Sequence, residues 1–373
     1  PAVKMAYPEF GMKVTTVNGQ SVDGNSISFK ALEKITVEGE VLDASGQLVT
    51  DFTGIVNPTV KDSKVTVTCL KNSNKDDSPA FTFTDYPNTI FIGNDSVRNG
   101  KFSFTFTVPK DISYSNLQGK MNLYAVDTES GNEAQGNFDN FIVGGTSDTA
   151  ETDTIGPEIR ALYLNDTTFV DGGQVNTTPY FVAELWDKSG VNITGSSVGH
   201  DMMLVIDEST VLSYNLNSYY ELLLGEDGTG IVKFPIPALE PGKHTAEFWV
   251  WDILNNSTVR TFTFEVVEGL KPFLFDVIAT PGIAREQVTF HLMHNRPESR
   301  MRVGIMVYDL AGRQLWKHEE SGTSGLFENY TVSWDLTSGG ARMRPGVYIY
   351  RAAISTDNSK DATKARKFII LGE

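Results

Sequence analysis

The chain has 373 residues, more than one hydrophobic core usually organises, so we expect two or three domains. Its formal net charge of −16 repels phosphate backbones and anionic membrane surfaces, which excludes nucleic acid as a partner. No apolar run of about 18 residues occurs, so we predict no membrane-spanning segment.

Alternation of apolar and polar residues predicts β-strands along nearly the whole chain. In KITVEGEVLD (34–43) and KFSFTFTVP (101–109), every second residue is apolar or glycine. The same pattern continues in MNLYAVD, TAEFWVWD, RTFTFEVV, EQVTFHL, RVGIMVYDL and GVYIYRAAI. One packed and one solvated face is typical of antiparallel sheets, and helical periodicity is nearly absent. We therefore predict an all-β protein built from immunoglobulin-like β-sandwiches.

Two changes in composition divide the chain into three predicted domains. The polar run TSDTAETDTIGPEI (146–159) is typical of a linker, and Gly269 and Pro272 interrupt the strands again near VVEGLKP. The predicted domains are 1–148, 149–269 and 270–373, three sandwiches in a row.

The first two predicted domains end in similar hairpins. Asp127 and Asp252 each follow an apolar strand, and a turn and a second strand come next. We expect the two carboxylates to accept turn amides, and Asn132 and Asn256 to adopt the left-handed conformation. Many bacterial immunoglobulin-like domains end in this way.

Several segments resemble the gingipain-type cysteine peptidase family. The opening PAVKMAYP (1–8) is similar to the end of such a peptidase domain. The segments ALEKITVEGEVLDASGQLVTDFTGIVNPTVKD (31–62) and DKSGVNITGSSVGHDMMLVID (187–207) are similar to the post-catalytic region of its type IX secretion sortase branch in Bacteroidetes. VYDLAGRQLW (307–316) and WDLTSGGARMRPGVYIYRA (334–352) resemble the C-terminal sorting domain of type IX cargo.

This resemblance implies a role without catalysis for the chain itself. The catalytic Cys and His of the family lie in an upstream peptidase domain, so we expect no catalytic residue and no cofactor here. The chain would be the scaffold region of an exported protein that lies at the outer membrane and cell surface. Its domain 270–373 would dock on outer-membrane type IX secretion components, such as a β-barrel carrier. A secreted module that binds carbohydrate or another surface is the alternative.

The Cys, His, Ser and Asp residues that could belong to a catalytic or metal site have simpler interpretations. Cys69 lies in the alternating stretch VTVTCL with no His before position 200, which indicates a structural strand cysteine. His291 and His294 lie on opposite faces of a strand, so we expect solvated or turn histidines rather than a metal pair. Ser196, Ser197, His200 and Asp201 offer the letters of a triad without a nucleophile elbow, and we interpret GHD as a loop anchor whose Asp bonds backbone amides.

Calcium is the most credible ion. Asp153, Asp187 and Asp252, with loop carbonyls, could supply hard oxygen ligands near a domain junction. No dense D-x-D-x-D run appears, and surface aspartates explain the same letters, so the sequence commits no residue to a metal.

Exposed tryptophans could form a sugar platform, which is the main rival hypothesis. The five candidates are Trp186, Trp249, Trp251, Trp316 and Trp334. The positions of Trp249, Trp251 and Trp334 suit packing inside a sandwich equally well.

Two further features concern the surface. Asp followed by Ser or Thr and a small or apolar residue is an O-glycosylation context, found at Ser96, Thr149, Thr154 and Thr167. Residues 270–373 contain 14 Lys and Arg against 11 Asp and Glu, while the rest of the chain is strongly acidic. The relatively basic domain could be oriented toward an acidic partner.

Overall fold

The computed structural model describes residues 8–71, 79–148, 153–195, 199–223, 228–356 and 358–371. The described residues are all-β, with one 3-10 turn at Asn217–Tyr219, which confirms the predicted class. The chain divides into two compact units. The first comprises Pro1–Ala161, Ala183–Val232 and Ala246–Thr261, and the second Leu162–Val182, Lys233–Thr245 and Phe262–Glu373. The three predicted domain boundaries stay a prediction.

Thirty-three strands are present among the described residues. Those before residue 150 are β1 Phe10–Val17, β2 Gln20–Ser21, β3 Ile27–Ala31, β4 Lys34–Leu42, β5 Gly54–Lys61, β6 Val65–Thr68, β7 Thr82–Asp85, β8 Thr89–Ile92, β9 Asp95–Arg98, β10 Lys101–Thr107, β11 Leu117–Gln118, β12 Lys120–Asp127, β13 Glu133–Phe138 and β14 Phe141–Thr146. The next nine are β15 Glu158–Leu164, β16 Gln174–Val175, β17 Tyr180–Trp186, β18 Met203–Ile206, β19 Ser213–Asn215, β20 Tyr220–Leu222, β21 Thr229–Pro235, β22 Gly242–Trp251 and β23 Ser257–Val266. The last ten are β24 Leu274–Thr280, β25 Ile283–Ala284, β26 Val288–His294, β27 Met301–Tyr308, β28 Gln314–Gly322, β29 Tyr330–Trp334, β30 Thr337–Ser338, β31 Ala341–Arg342, β32 Gly346–Ser355 and β33 Ala362–Ile370.

Seven strands of the first unit form a closed barrel, in the order β12-β13-β1-β4-β10-β9-β5. The circuit closes because β5 pairs with β12 along its whole length on one edge and with β9 on the other. The sequence predicts open sheets here. That prediction rests on apolar alternation, which is common to sandwiches and barrels. Only the partners of β5 distinguish the two, and they are distant in sequence.

The interior of the barrel is filled by the apolar face of each strand. In β10, Phe102, Phe104 and Phe106 are buried while the Ser and Thr residues between them face outward. Their rings stack on one another and on Phe91, so aromatic contacts run along the interior. The predicted alternation therefore builds this core.

The remaining strands are described within their own units. In the first unit β18 pairs with β19 and with residues 246–249 of β22, and β20 pairs with β21. In the second unit β16 pairs in parallel with the end of β23. Also in the second unit, a three-stranded sheet β24-β26-β29 and a five-stranded sheet β25-β33-β32-β27-β28 share one hydrophobic core, so residues 274–370 form a β-sandwich.

The first predicted hairpin is confirmed, with a correction at its turn. Strands β12 and β13 pair antiparallel, and the Asp127 carboxylate accepts the amides of Ser130, Glu129 and Thr53. These bonds, led by the amide of Ser130, lower the pKa of Asp127 to about 2. The left-handed residue is Gly131, not Asn132, and in the second hairpin it is Asn255, not Asn256.

Two Asn-Gly turns of the barrel offer a matched test of packing. Gly19 and Gly100 have nearly the same φ, 73° and 72°. A Cβ on Gly100 would lie 2.3 Å from the Val49 carbonyl oxygen, whereas a Cβ on Gly19 meets nothing within 4 Å. We expect Gly19→Ala to cost about 1–2 kcal/mol for the left-handed backbone alone. We expect Gly100→Ala to cost about 1–3 kcal/mol more, because the strands must shift. Urea denaturation of both variants measures the difference, and equal losses would contradict the close packing.

Candidate metal centre

Three aspartates from separate segments of the first unit meet in one cluster. Asp187 follows β17, Asp252 follows β22, and Asp153 precedes β15. One carboxylate oxygen from each lies within 4.8 Å of the others. Asp187 and Asp252 are 4% and 0% exposed. The cluster thus unites the three residues that the sequence singles out as hard oxygen ligands.

Local turns hold each carboxylate in place. Asp187 Oδ1 accepts the amides of Ser189 and Gly190, at 2.8 and 2.9 Å. Asp252 Oδ1 accepts the amides of Leu254 and Asn256, at 2.9 and 2.6 Å. These are Asx-type turns, in which a short carboxylate replaces a backbone acceptor.

Ser189 and Asn256 connect the third carboxylate to the other two. Asp153 Oδ2 accepts the Ser189 hydroxyl at 2.9 Å, and its Oδ1 accepts the amide of Ile155. The Asn256 side-chain amide donates to Asp252 Oδ2 at 2.6 Å and to the Asp153 carbonyl oxygen at 3.1 Å. The cluster is therefore positioned by hydrogen bonds across all three segments.

Burial dominates the electrostatics of the two inner carboxylates. It raises the pKa of Asp187 to about 6 against the opposing effect of its turn amides, and the charges of Asp252 and Asp153 add to the rise. Burial also raises the pKa of Asp252. The amide of Ile155 and the hydroxyl of Ser189 lower the pKa of Asp153, which lies nearer to solvent. The cluster concentrates negative charge that its hydrogen bonds only partly offset.

A hard divalent cation is the ligand that such a cluster can hold. Ca²⁺ is bound by carboxylate, carbonyl and hydroxyl oxygens, and the three carboxylates, the Asp153 carbonyl and the Ser189 hydroxyl are of these types. Asp187 also lines a cavity of about 280 Å³ in the first unit. The chemistry of the donor set fits calcium better than zinc, because no His or Cys belongs to the cluster.

The structure does not bring the described His and Asp residues near position 200 together as part of a catalytic triad. Ser196 and Ser197 lie outside the described residues. His200 Nδ1 is 2.6 Å from Asp111 Oδ2, and the His200 ring packs 4.5 Å from the Trp251 ring. The interpretation of Asp201 needs a correction: its carboxylate accepts the side-chain amide of Asn217, not backbone amides.

The sequence does not reveal Asp111 as the partner of His200. Its carboxylate also accepts the side-chain amides of Asn255, at 2.8 Å, and Asn192, at 3.4 Å. The Lys110 amide donates to the Ile253 carbonyl oxygen beside it. Asp111 and His200 are 89 positions apart, so no local spacing could have revealed the pair.

The remaining candidate side chains are structural or exposed. Cys69 is not the strand residue expected: it lies just beyond β6, its thiol is free and exposed, and its backbone amide donates to the Phe81 carbonyl oxygen. His291 is paired across the sheet with Ile278 and Thr331. His294 is not the solvated histidine expected: it hydrogen-bonds to the Ser324 hydroxyl at 2.9 Å, and burial lowers its pKa to about 4.

Of the five tryptophans, Trp334 is buried, and Trp186, Trp249, Trp251 and Trp316 are half-buried. Trp334 is 4% exposed, donates to the Thr337 carbonyl and stacks on Trp316 at 4.5 Å. Trp186 lies 4.9 Å beneath the Arg160 guanidinium, and Trp249 donates to Glu247. The sugar platform on these rings therefore stays a prediction.

The O-glycosylation contexts stay a prediction. Thr154 and Thr167 are exposed, Ser96 is half-buried, and Thr149 lies outside the described residues.

No helix in the described part of the chain has the length and apolar character needed to cross a membrane.

Comparison with solved structures gives a likeness in sequence that extends over the whole chain. The crystal structure of dimeric latent PorU from Porphyromonas gingivalis is 37% identical over 100% of this chain, with a TM-score of 0.44. The chain spans 35% of PorU. A tetra-tandem repeat from the extending region of a large adhesion protein is 14% identical, with 98% of this chain and 74% of that chain covered and a TM-score of 0.20. The FN1–FN3 domains of chicken CNTN1 are 7% identical, with 97% and 98% covered and a TM-score of 0.20.

No family model matches the chain, and no curated protein matches it. The identity to PorU over the whole chain supports a relation to PorU, in agreement with the resemblance seen in the sequence.

The raised pKa of Asp187 predicts a pH-dependent effect of Asp187→Asn. The unfolded carboxyl titrates near 3.8 and the folded one near 6, so the wild type loses stability as pH rises from about 4 to 6 and does not regain it above. Asparagine keeps the Oδ1 acceptor without the charge. We expect Asp187→Asn to be more stable by about 1–3 kcal/mol at pH 7.5 in EDTA, and no more stable at pH 4. Urea midpoints across this range measure the change, and a pH-independent difference would contradict the assignment.

Calcium should stabilise the wild type more than Asp187→Asn, which is the opposite of the difference expected in EDTA. We expect 5 mM CaCl₂ to raise the melting temperature of the wild type, because a bound cation offsets the repulsion among three carboxylates. Asp187→Asn should lose most of this increase, and Asp309→Asn, in an exposed turn of the second unit, should keep it. Differential scanning fluorimetry with MgCl₂ as the ionic-strength control measures both, and an equal increase in all three proteins would exclude the cluster as the site.

Proposed function

We propose that the chain is the non-catalytic scaffold and docking region of a gingipain-like cell-surface cysteine peptidase or sortase that processes secreted cargo in type IX secretion. The observation that carries the proposal is the 37% identity to PorU along the entire chain. The proposal assigns peptidase activity to an upstream domain of the parent protein, and export to the outer membrane and cell surface to the whole protein.

The surroundings of the candidate nucleophile and base support a role without catalysis. The free thiol of Cys69 lies at an exposed hairpin, and no described histidine hydrogen-bonds to it. The imidazole of His200 is held by Asp111, and no Ser or Cys of the described residues hydrogen-bonds to it. A nucleophile needs a base within hydrogen-bond reach. Among the described residues, Cys69 has no such base, and His200 has no such nucleophile.

The sandwich formed by residues 274–370 supports the docking part of the proposal. Arg302 on β27 and Arg351 on β32 are exposed on the outward face of its five-stranded sheet. They line a shallow depression of about 430 Å³, which Glu319 and Asp361 also line, and Arg302 pairs with Asp361 at 3.5 Å. Because residues 270–373 contain 14 Lys and Arg against 11 Asp and Glu while the rest of the chain is strongly acidic, this domain would be oriented toward an acidic surface of an outer-membrane partner, with Arg302 and Arg351 among its exposed cations.

A chimera tests the proposal directly. In P. gingivalis PorU, the matched 35% of the protein is replaced by this chain, and the chimera is expressed in cells that lack PorU. We expect the chimera to reach the cell surface and to restore processing of secreted cargo, measured by immunoblot. We expect the double variant Arg302→Glu, Arg351→Glu to lower processing about tenfold, since reversed charges repel an acidic partner.

Two controls define the outcome. Cys69→Ser in the chimera should leave processing unchanged, and a loss would show that the chain supplies a catalytic thiol. Lys243→Glu, a charge reversal at an exposed position outside the sandwich, should also be neutral. A chimera that reaches the surface but processes no cargo would overturn the scaffold role.

A further inference from the structure

Two rows of uncharged polar side chains cover the outward face of the barrel across β5, β12 and β13. The registers place Thr59, Asn122 and Asn137 side by side, and Asn57, Tyr124 and Gln135 side by side in the next row. We call these six residues the amide patch. It includes four primary amides around one tyrosine, spread over three adjacent strands.

The four amides of the patch are exposed and have no internal role. None of their side chains hydrogen-bonds to another described residue, and their backbones belong to the barrel ladder. Elsewhere in the first unit, Asn192, Asn217 and Asn256 are all engaged in holding loops. Each patch amide offers two donors and one carbonyl acceptor to solvent. Folding therefore does not require these residue types at these positions.

Tyr124 is held in one position at the centre of the patch. Its hydroxyl donates to Glu133 Oε1 at 2.7 Å, and this bond raises the pKa of Tyr124. Its side chain is 38% exposed. A ring fixed by its own hydroxyl offers an apolar surface among hydrogen-bonding groups with little entropy left to lose on binding.

The charges around the patch favour a neutral ligand. No ionisable carboxyl, amine or guanidinium belongs to the two rows, although the chain as a whole carries −16. The next row on one side has Lys61 opposite Lys120, and the row on the other side has Glu133 opposite Val126. Apart from the Glu133 carboxylate, which accepts the Tyr124 hydroxyl, an anion or cation would therefore find counter-charges only at the margins of the patch.

The composition of the patch fits a sugar better than a protein. Protein interfaces concentrate buried energy in several aromatic, Met or Arg anchors, and the patch has a single aromatic ring. Adjacent sugar hydroxyls donate and accept at once, as primary amides do, and the C–H face of a pyranose packs on an aromatic ring. Neighbouring strands lie about 4.8 Å apart, a spacing comparable to one sugar unit, so successive strands can contact successive rings.

We propose that the amide patch binds a neutral glycan chain, which lies across β5, β12 and β13 in the shallow depression of about 500 Å³ that these strands form. Asn122 and Gln135 hydrogen-bond to hydroxyls of adjacent sugars, and the ring of Tyr124 packs against one of them. This site is independent of the proposed scaffold function and of the metal centre.

Affinity electrophoresis of the full chain tests the proposal. The gels contain one of three neutral polysaccharides (a mixed-linkage β-glucan, a mannan or a dextran) or alginate as an anionic probe, and a glycan array with neutral oligosaccharides runs in parallel. We expect retardation or array binding by at least one neutral glycan and none by alginate. We expect Asn122→Ala, Gln135→Ala and Tyr124→Ala each to weaken binding about tenfold, the effect of losing a paired hydrogen bond or a packed ring.

Gln20→Ala is the matched control, because Gln20 is an exposed amide on β2, which pairs with barrel strand β1 and lies outside the patch. Melting temperatures of all variants establish that the barrel is intact. Binding that stays within twofold of wild type in the three patch variants would overturn the proposal. Binding of alginate alone, or of no neutral glycan at millimolar sugar, would overturn it as well. None of these readouts depends on cargo processing.

Discussion

The double pairing of β5 is the constraint on which the first unit depends. Its hydrogen bonds to β12 on one edge and to β9 and β8 on the other turn a set of hairpins into a closed barrel. Gly54, at the start of β5, is needed for this approach, since a Cβ there would lie 1.9 Å from the Val126 carbonyl oxygen. Closure removes the unpaired edges through which β-proteins associate without specificity.

Carboxylates organise the turns of a chain that has only one cysteine and cannot use disulfides. Asp43 and Asp309 accept backbone amides in exposed turns, Asp127 does so from a buried position, and these bonds lower the pKa of each. Asp187 and Asp252 accept amides in the same way, but burial outweighs the bonds and raises their pKa values. The same kind of turn therefore keeps Asp127 strongly acidic, whereas burial and the charges of neighbouring carboxylates outweigh the amide bonds of Asp187 where three segments converge.

The sequence predicts those features whose cause is local. Strand alternation, as in β10, follows from adjacent residues and is confirmed. The three aspartates of the cluster could be named because each begins a turn with recognisable Asp, Gly and Asn letters. Sequence reasoning placed the left-handed turn residue one position too late in both hairpins, because Gly131 and Asn255 compete with neighbours that tolerate the same φ. Barrel closure and the Asp111–His200 pair depend on residues far apart in the chain, and no spacing encodes them.

The outward faces of these sheets are where function can vary without cost to the fold. Inward positions are fixed by packing, as the buried rings of β10 show, whereas outward positions need only tolerate a pleat. In the first unit those positions hold uncharged amides around Tyr124, and in the sandwich of residues 274–370 they hold Arg302 and Arg351. Strand propensity does not account for the amides, because Asn is a poor strand former and Thr or Val would serve the pleat better.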